Sequence, residues 1–400
     1  MVIFKDAAIL LTPVIPQRNS SGRALRAWNW LTELSCDHDV YVVITERFEA
    51  EDIPPNYPAA GIFNVSNEIF RTNKFLRLIA ILFPPICLLF RSLVVDWLRP
   101  RKKIFIRGLT EKLSGKSIKR VVVFRFYLHE LGHSISSLGT EARVDLDMDD
   151  LESKTRMSVA RCLARMGRLQ ESILSLMAAF QYYLLERLIV KKYGAIWLTA
   201  NEDAQALTRR GISNVATRPN RIERPAYVPG RYINHTVNAR FLFVGSLDYP
   251  PNQEAVFFIL NSIQPELEKL LLTKWTFRVV GRRAPKKLLS LIESSERVEF
   301  CPDADKLTEH YENSTLSIVP LSAGGGSKIK TIEAFSHRRP VISSREGVRG
   351  LNVKSGVHYL HAQTGFEFAQ SIALITQDCS LADNISRAGE EYFLQQHLLS

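Results

Sequence analysis

The stretch IVPLSAGGGSKIKTIEAFSHRRPVISS, residues 318–344, decides the fold because it holds a complete strand, helix and strand. LSIVPL (316–321) and PVISS (340–344) are short apolar runs with β-branched residues, a pattern typical of buried strands. Between them, a glycine loop precedes a helix-like stretch that begins near Ser327. Strands that alternate with helices of this length indicate a parallel, doubly wound sheet.

The same alternation extends through both halves of the chain. Further strand-like runs in the second half are RFLFVGSL (240–247), TFRVVGR (276–282) and VEFC (298–301), and in the first half AAILLTPV, VYVVITE, VVVFRF and AIWLTA. The turn-rich segment 218–238 is the best linker candidate. The sequence therefore predicts an α/β fold of two doubly wound Rossmann-like domains, residues 1–222 and 223–400. We expect them to face a cleft at the carboxyl ends of their sheets.

The glycine loop predicts an anion-binding site. It consists of Gly324, Gly325 and Gly326. Glycines let backbone N–H groups approach a ligand closely, and the N-terminus of the following helix favours an anion. Lys328 and Lys330 add positive charge, and Glu333 can accept hydrogen bonds from vicinal hydroxyls. Together they predict a nucleotide-sugar site without the spacing of a Walker loop. The alternative is a loop that serves only tight packing between strand and helix.

Composition and charge narrow the classes of protein. The 400 residues carry a formal net charge of +11, and five cysteines without close pairs favour a reducing compartment. Residues 71–107 combine an apolar stretch with Arg and Lys, which fits a segment lying on an anionic membrane surface. The alternative is a buried hairpin with a solvated basic rim. No nucleic-acid-binding module or signal peptide is recognisable. We therefore expect a cytoplasmic protein, peripheral on the inner face of the membrane.

The pentapeptide HELGH (129–133) has the ligand spacing of a zinc protease. On a helix, His129 and His133 would face one metal, and Glu130 would be the general base. A third ligand is missing where metzincins place it, since Ser136 and Gly139 occupy those positions. The strand-like run VVVFRF just before it favours the alternative, the first turn of a helix after a strand.

The acidic run VDLDMDDLES also suggests a metal. Its aspartates are Asp145, Asp147, Asp149 and Asp150. Carboxylates alone can hold Mg²⁺ or Mn²⁺. A strand end followed by a helix N-terminus with acidic residues in its first turn explains the run equally simply. We favour capping or lining of the cleft over a metal.

Several motifs in the second half occur in the order of one known family. These are FVGSLDYPPNQEAV, the VVG at 279–281, PLSAGGGSKIKTIEAF and RRPVISSREGVRGL, which span most of residues 240–360. In this order they resemble the retaining glycosyltransferases of family 4, which have the two-domain GT-B fold. The first half is similar more loosely, through TPVIPQRNSSGRALR, VDLDMDDLES and LTANEDAQAL.

The resemblance implies roles for the glycine-loop region. Glu333 matches the second glutamate of the family's Glu-x7-Glu motif and is implied to bind the donor ribose, while Gly325 occupies the position of the first glutamate. Gly245 and Ser246 open the loop after the first strand of this domain, where many members carry an Arg and a Lys. Lys328 and Lys330 are implied to hold the diphosphate instead. The donor-binding residues expected on this basis are Gly22, Gly245, Ser246, Gly324, Gly325, Gly326, Ser327, Lys328, Lys330 and Glu333.

Catalytic roles are implied for Lys328 and for the first domain. Gly22 matches the glycine of a loop near the reacting centre, and either His129 or Arg125 corresponds to the residue that follows a central strand there. The implied reaction is retaining transfer of a sugar from a nucleoside diphosphate to a glycan or lipid-linked acceptor, in surface polysaccharide or glycolipid synthesis. No metal or other cofactor is implied. The alternatives are a zinc protease, a catalytically silent partner protein and a nucleotide-sugar epimerase on the same fold.

Overall fold

The computed structural model describes residues 6–18, 21–65, 100–136, 141–226, 228, 238–304, 306–326 and 328–399. They divide into two compact units, one formed by residues up to 156 with 174–220 and the other by 157–173 with 221–399. The sequence placed the division after residue 222. It also placed residues 157–173 in the first domain, whereas they belong to the second unit.

The first unit is built on a parallel sheet of seven strands. In chain order they are β1 (Asp6–Thr12), β2 (His38–Ile44), β3 (Gly61–Asn64), β4 (Ile118–Phe124), β5 (Arg143–Asp149), β6 (Ala195–Leu198) and β7 (Val215–Thr217). Their spatial order, β3-β2-β1-β4-β5-β6-β7, is that of a doubly wound fold. The central strands are buried on both faces, which explains their nearly continuous apolar sequence.

Within the described residues, six α-helices begin before residue 221. They are α1 (Gly22–Asp37), α2 (Pro100–Lys112), α3 (His129–Ser136), α4 (Glu152–Arg165), α5 (Leu169–Ile189) and α6 (Asn201–Thr208). Of the basic apolar segment 71–107, only residues 100–107 are described, as the start of α2. The rest of that segment lies outside the described residues.

The second unit carries a parallel sheet of six strands. They are β8 (Ala239–Val244), β9 (Trp275–Gly281), β10 (Val298–Pro302), β11 (Leu316–Val319), β12 (Val341–Ser343) and β13 (Leu360–His361). Its helices are α7 (Pro250–Phe258), α8 (Gln264–Leu270), α9 (Lys286–Glu293), α10 (Thr308–Glu312), α11 (Ile329–Ser336), α12 (Gly365–Gln377) and α13 (Cys379–Gln396).

The strand order of the second sheet, β10-β9-β8-β11-β12-β13, reverses between β8 and β11. Such a reversal leaves a crevice beyond the carboxyl ends of the two strands, where doubly wound sheets bind ligands. Both sheets confirm the predicted α/β class with two doubly wound domains. The glycine loop directly follows β11, so the fold places it beside this crevice.

Candidate functional site

Two loops meet beyond the carboxyl ends of β8 and β11. Gly245 and Ser246 follow β8, and the glycine loop follows β11. The Asn252 side chain lies so close to Gly245 that a Cβ there would come within 2.8 Å of it. Gly324 has a φ of +132°, a conformation open to glycine and strained for other residues. Both glycines are thus required by the local backbone and packing.

Lys328 lies inside the glycine loop. Its Nζ is 3.1 Å from Oε1 of Glu346 and donates to the carbonyl oxygen of Gly325 at 3.2 Å. A Cβ on Gly324 would stand 3.1 Å from this Nζ and 3.6 Å from the Tyr249 hydroxyl. The side chain is buried, so the ammonium group is held in place by these contacts. The result is an oriented positive charge next to backbone N–H groups.

Lys330 reaches back toward the loop after β8. Its Nζ donates to Oδ1 of Asn252 at 2.8 Å and lies 4.4 Å from the centre of the Phe243 ring. Nδ2 of Asn252 donates in turn to the carbonyl oxygen of Ser246 at 2.8 Å. Burial, and then the nearby charge of Lys328, lower the pKa of Lys330 to about 7. An anion bound here would favour the protonated amine.

Glu333 lies one turn further along α11. The Tyr311 hydroxyl donates to its Oε2 at 3.2 Å. Burial raises the pKa of Glu333, and the Tyr311 hydrogen bond and the charge of Lys330 oppose that rise. The carboxylate and the two lysines therefore form one polar cluster on a single helix and the residue before it, against an otherwise apolar domain core.

The structure thus brings together Gly245, Ser246, the three loop glycines, Lys328, Lys330 and Glu333. Ser327 lies outside the described residues. The side chains of Lys330, Glu333 and Lys328 are held by three residues that were not predicted from the sequence, Asn252, Tyr311 and Glu346. Asn252 follows two prolines at the start of α7, a signal for a helix N-terminus but not for a lysine partner.

Residues 157–173 also hold the glycine loop. The Gly324 N–H donates to the Ser158 hydroxyl at 3.1 Å. Arg165 donates to Glu254 at 2.6 Å and to the Ser322 hydroxyl at 2.7 Å. One loop amide is therefore already satisfied from α4, and a ligand that binds this amide must displace the Ser158 hydroxyl.

HELGH forms most of α3 in the first unit, as its alternative reading predicted. His129 is buried with its ring edge-on to Phe126 at 5.3 Å, whereas His133 is exposed. A Cβ on Gly132 would come within 2.4 Å of Val123 on β4, so the glycine allows the helix to pack closely on the sheet. Within the described part of the chain, no group of three His, Cys, Asp or Glu residues is arranged to hold a metal ion.

We predict that the purified protein holds no stoichiometric zinc, because His129 and His133 have different surroundings and none of the described residues completes a three-ligand group with them. Elemental analysis of protein purified without chelators measures this directly. One tightly bound zinc per chain, lost together with activity in His133→Ala, would contradict the prediction.

The aspartates of the acidic run VDLDMDDLES form ion pairs with arginines. Asp145 lies within 2.9 Å of Arg120 and Arg143, and Arg26 makes a bidentate pair with Asp147 at 2.8 and 2.9 Å. These two aspartates are buried in β5, where arginines from α1, β4 and β5 itself balance their charge.

Arg125 follows β4 and is surrounded by carboxylates. It is 2.6 Å from Asp149, 3.2 Å from Glu152 and 3.7 Å from Asp150, and these charges raise its pKa against the effect of burial. Arg125 and Asp149 both have positive φ, at +83° and +64°. The ion pair of Arg125 with Asp149 fixes the carboxyl edge of this sheet, which favours a positioning role for Arg125.

Gly22 is the first residue of α1, after the N-cap Ser21.

Sequence comparison supports one family for the second unit. The sequence model of the family described as glycosyl transferases group 1 matches residues 238–378. An uncharacterised 44.6 kDa protein of the cps region of Klebsiella pneumoniae is 24% identical over 150 residues, 36% of this chain and 38% of that protein. The match thus spans well under half the length of this curated relative.

Solved structures with the same fold cover nearly the whole chain. Sucrose-phosphate synthase from Thermosynechococcus elongatus superposes with a TM-score of 0.70 at 13% identity, over 98% of this chain and 95% of that one. HepE from Anabaena, in complex with UDP and glucose, gives 0.65 at 11% identity over 98% and 96%. A TarM mutant from S. aureus with bound UDP gives 0.67 at 10% identity over 98% and 97%. The second unit therefore matches the glycosyl transferases group 1 family over residues 238–378, and the chain has the two-domain GT-B fold.

Proposed function

We propose that this protein is a retaining glycosyltransferase that moves a sugar from a nucleoside diphosphate to a glycan or lipid-linked acceptor. The observation that carries the proposal is the cluster of Lys328, Lys330 and Glu333 beside the glycine loop at the β8/β11 crevice. Two similar structures contain UDP, which supports a nucleoside diphosphate donor. The relative from a cps region supports a role in surface polysaccharide or glycolipid synthesis.

Each residue of the cluster has a role in this proposal. Glu333 accepts hydrogen bonds from the ribose hydroxyls, and Lys330 with Lys328 binds the diphosphate. As the bond between sugar and phosphate breaks, negative charge grows on the leaving diphosphate, and the two ammonium groups and loop amides stabilise it. A front-face reaction assisted by this phosphate needs no carboxylate nucleophile and no metal. On the acceptor side we propose His129 as the catalytic residue. Arg125 would position this edge of the sheet.

A thermal-shift screen against nucleoside diphosphates and their sugars tests the proposal. A specific ligand at about 100 times its Kd stabilises the fold by about 2.7 kcal/mol. We expect one nucleoside diphosphate and its sugar to raise the melting temperature well above the others. Binding without hydrolysis or transfer would indicate a silent donor-binding protein. An altered sugar without an acceptor would indicate an epimerase.

The pKa of Lys330 predicts how donor affinity depends on pH. A bound diphosphate raises this pKa, so its contribution to affinity is complete below about pH 7 and is lost as pH rises toward the pKa in the complex. Above pH 7, we expect affinity to fall by up to about tenfold per pH unit, with uptake of close to one proton per ligand. A nucleotide sugar is the suitable ligand, because its two phosphates stay ionised throughout this range.

Calorimetry at pH 6.5–9, in two buffers with different ionisation enthalpies, measures both quantities. Lys330→Met is the control, since it should bind weakly at every pH and take up no proton. A flat pH profile in the unmodified protein would show that Lys330 does not meet the phosphates.

A further inference from the structure

Helix α5 has an unusual distribution of side chains around its axis. Leu176, Phe180, Leu184 and Leu188 recur every four residues and are exposed, Phe180 at 58% and Leu188 at 71%. With Tyr183, they fall within an arc of roughly 140° on the helix surface. We call these five residues the α5 stripe. The solvent-facing arc of this helix is therefore largely apolar.

The inward side of α5 combines small and polar buried residues, Ser175, Ala179 and Glu186, with Tyr182, Leu185 and Ile189, which pack against the core. The Ser175 hydroxyl donates to the Arg156 carbonyl oxygen at 2.8 Å, and Arg210 donates to Glu186 at 2.9 Å. The backbone N–H and hydroxyl of Ser153 donate to the same carboxylate at 3.0 and 2.6 Å. Rotating α5 to bury its leucines would leave the Glu186 charge without these partners, so the orientation is fixed.

The exposed charges that α5 and the following turn carry beside the stripe have one sign. Arg187 lies within the exposed arc, and Lys191 and Lys192 follow at the C-terminal end of the helix, all exposed. The only acidic residues of α5 are Glu186, which is buried, and Glu171, which lies outside the arc and pairs with Arg168. An apolar surface bordered by Arg and Lys is complementary to an anionic lipid surface.

We propose that the α5 stripe inserts into the boundary between headgroups and acyl chains of an anionic membrane, with Lys191 and Lys192 on lipid phosphates. Residues 169–192 are long and apolar enough to span a bilayer, with a mean hydropathy of 1.4. The polar contacts of Ser175 and Glu186 instead hold α5 against its own domain, so that it lies in the membrane surface. This inference deepens the proposed function. It rests on that function only in one respect, the lipid-linked acceptor that would lie in the membrane.

Vesicle co-sedimentation of the full chain tests this surface. Vesicles of phosphatidylglycerol and phosphatidylcholine are compared with pure phosphatidylcholine. In the stripe variant, Phe180→Ser, Leu184→Ser and Leu188→Ser are combined. We expect binding to anionic vesicles to weaken by roughly tenfold for each inserted side chain that is lost. Lys191→Ser with Lys192→Ser should weaken it less and reduce its salt dependence.

The second unit offers a matched control. Leu272, Phe366 and Leu374 are exposed apolar residues outside α5, and their combined change to Ser should leave vesicle binding unchanged. Arg101→Ser, Lys102→Ser and Lys103→Ser separately test the basic segment 71–107. A stripe variant that binds vesicles as the unmodified protein does would overturn the inference.

Two other results would also overturn it. A dimer in light scattering that becomes a monomer in the stripe variant would make the stripe an interface between copies. A large fall in melting temperature would mean that the chain itself covers the stripe. Nucleotide binding is measured in the same samples and tests the proposed function separately. If no variant binds a nucleotide, the proposed function fails, but the conclusion from vesicle binding is unaffected.

Discussion

Asp147→Ala is expected to lower the free energy of unfolding of the first unit by about 3–5 kcal/mol. Asp147 accepts two hydrogen bonds from Arg26 and one from the indole N–H of Trp30, and both charged side chains are almost fully buried. Removing the carboxylate takes both of these hydrogen bonds from the buried Arg26 guanidinium and leaves Asp149, 3.7 Å away, as the carboxylate nearest to it among its ion pairs. The loss therefore exceeds that of an ordinary hydrogen bond.

Asp145→Ala is the matched control for this change. Asp145 lies two residues earlier on β5 and is equally buried, but Arg120 and Arg143 are 23% and 57% exposed. Both arginines can turn to solvent when the carboxylate is lost, so we expect a clearly smaller loss. Chemical denaturation followed by tryptophan fluorescence measures both, because Trp28, Trp30 and Trp197 lie in the first unit. Equal losses in the two variants would show that burial of the arginine partner does not set the cost.

The same buried pairs explain why the sequence did not reveal the full burial of one central strand. Most other strands read as apolar runs, because a parallel sheet is covered on both faces. In β5, acidic and apolar residues alternate as RVDLDMD, a pattern of a half-exposed strand. Its acidic side chains are buried all the same, since arginines from α1, β4 and the strand itself neutralise them. No local rule reveals partners that are up to 121 residues away.

Three of the four edge strands and the path of residues 157–173 were also not predicted from the sequence. Strands β3, β7 and β13 have four, three and two residues, and their segments GIFN, VAT and LH were not recognised as strands. Residues 157–173 read as ordinary helix, and only contacts such as Ser158 with Gly324 place them in the second unit.

The candidate site was predictable to the extent that it is contiguous. The glycines, Lys328, Lys330 and Glu333 follow one another within ten residues, so a single loop and helix bring them together. Their partners Asn252, Tyr311 and Glu346 come from other elements and carry no local signal. In the first unit, Arg125 was identified without the three carboxylates that surround it.

The second large effect is expected on catalysis. Lys328→Met combined with Lys330→Met should lower turnover by at least about 100-fold, as loss of a single oxyanion-stabilising donor does elsewhere. The reason is the growing phosphate charge in the transition state, which the two oriented ammonium groups meet at no cost of reorganisation. The carboxylate of Glu346 and the amide of Asn252 hold the ammonium groups in place before the donor arrives. Turnover at saturating donor should therefore fall in addition to the loss of donor affinity that Lys330→Met alone produces.

Glu333→Ala separates binding from catalysis in the same cluster. Losing a charge-assisted hydrogen bond costs about 1.5–3 kcal/mol, or roughly ten- to a hundredfold in affinity for the nucleoside diphosphate and its sugar. Tyr311→Phe removes only the hydroxyl that donates to this carboxylate and should have a smaller effect. Turnover at saturating donor should change little in either variant, because the ribose contact is the same in ground and transition states.

The exposed pair Lys286 and Lys287, at the start of α9 in the same unit, provides the control for charge. Their change to Met removes two positive charges from the helix that follows β9 rather than from the glycine loop after β11, so turnover and donor affinity should stay the same. Affinity, turnover and melting temperature are measured on the same samples. A Lys328/Lys330 double variant that turns over normally, or unchanged affinity in Glu333→Ala, would mean that the glycine loop only packs β11 against α11. The donor would then have to bind elsewhere than at the glycine loop beside the β8/β11 crevice.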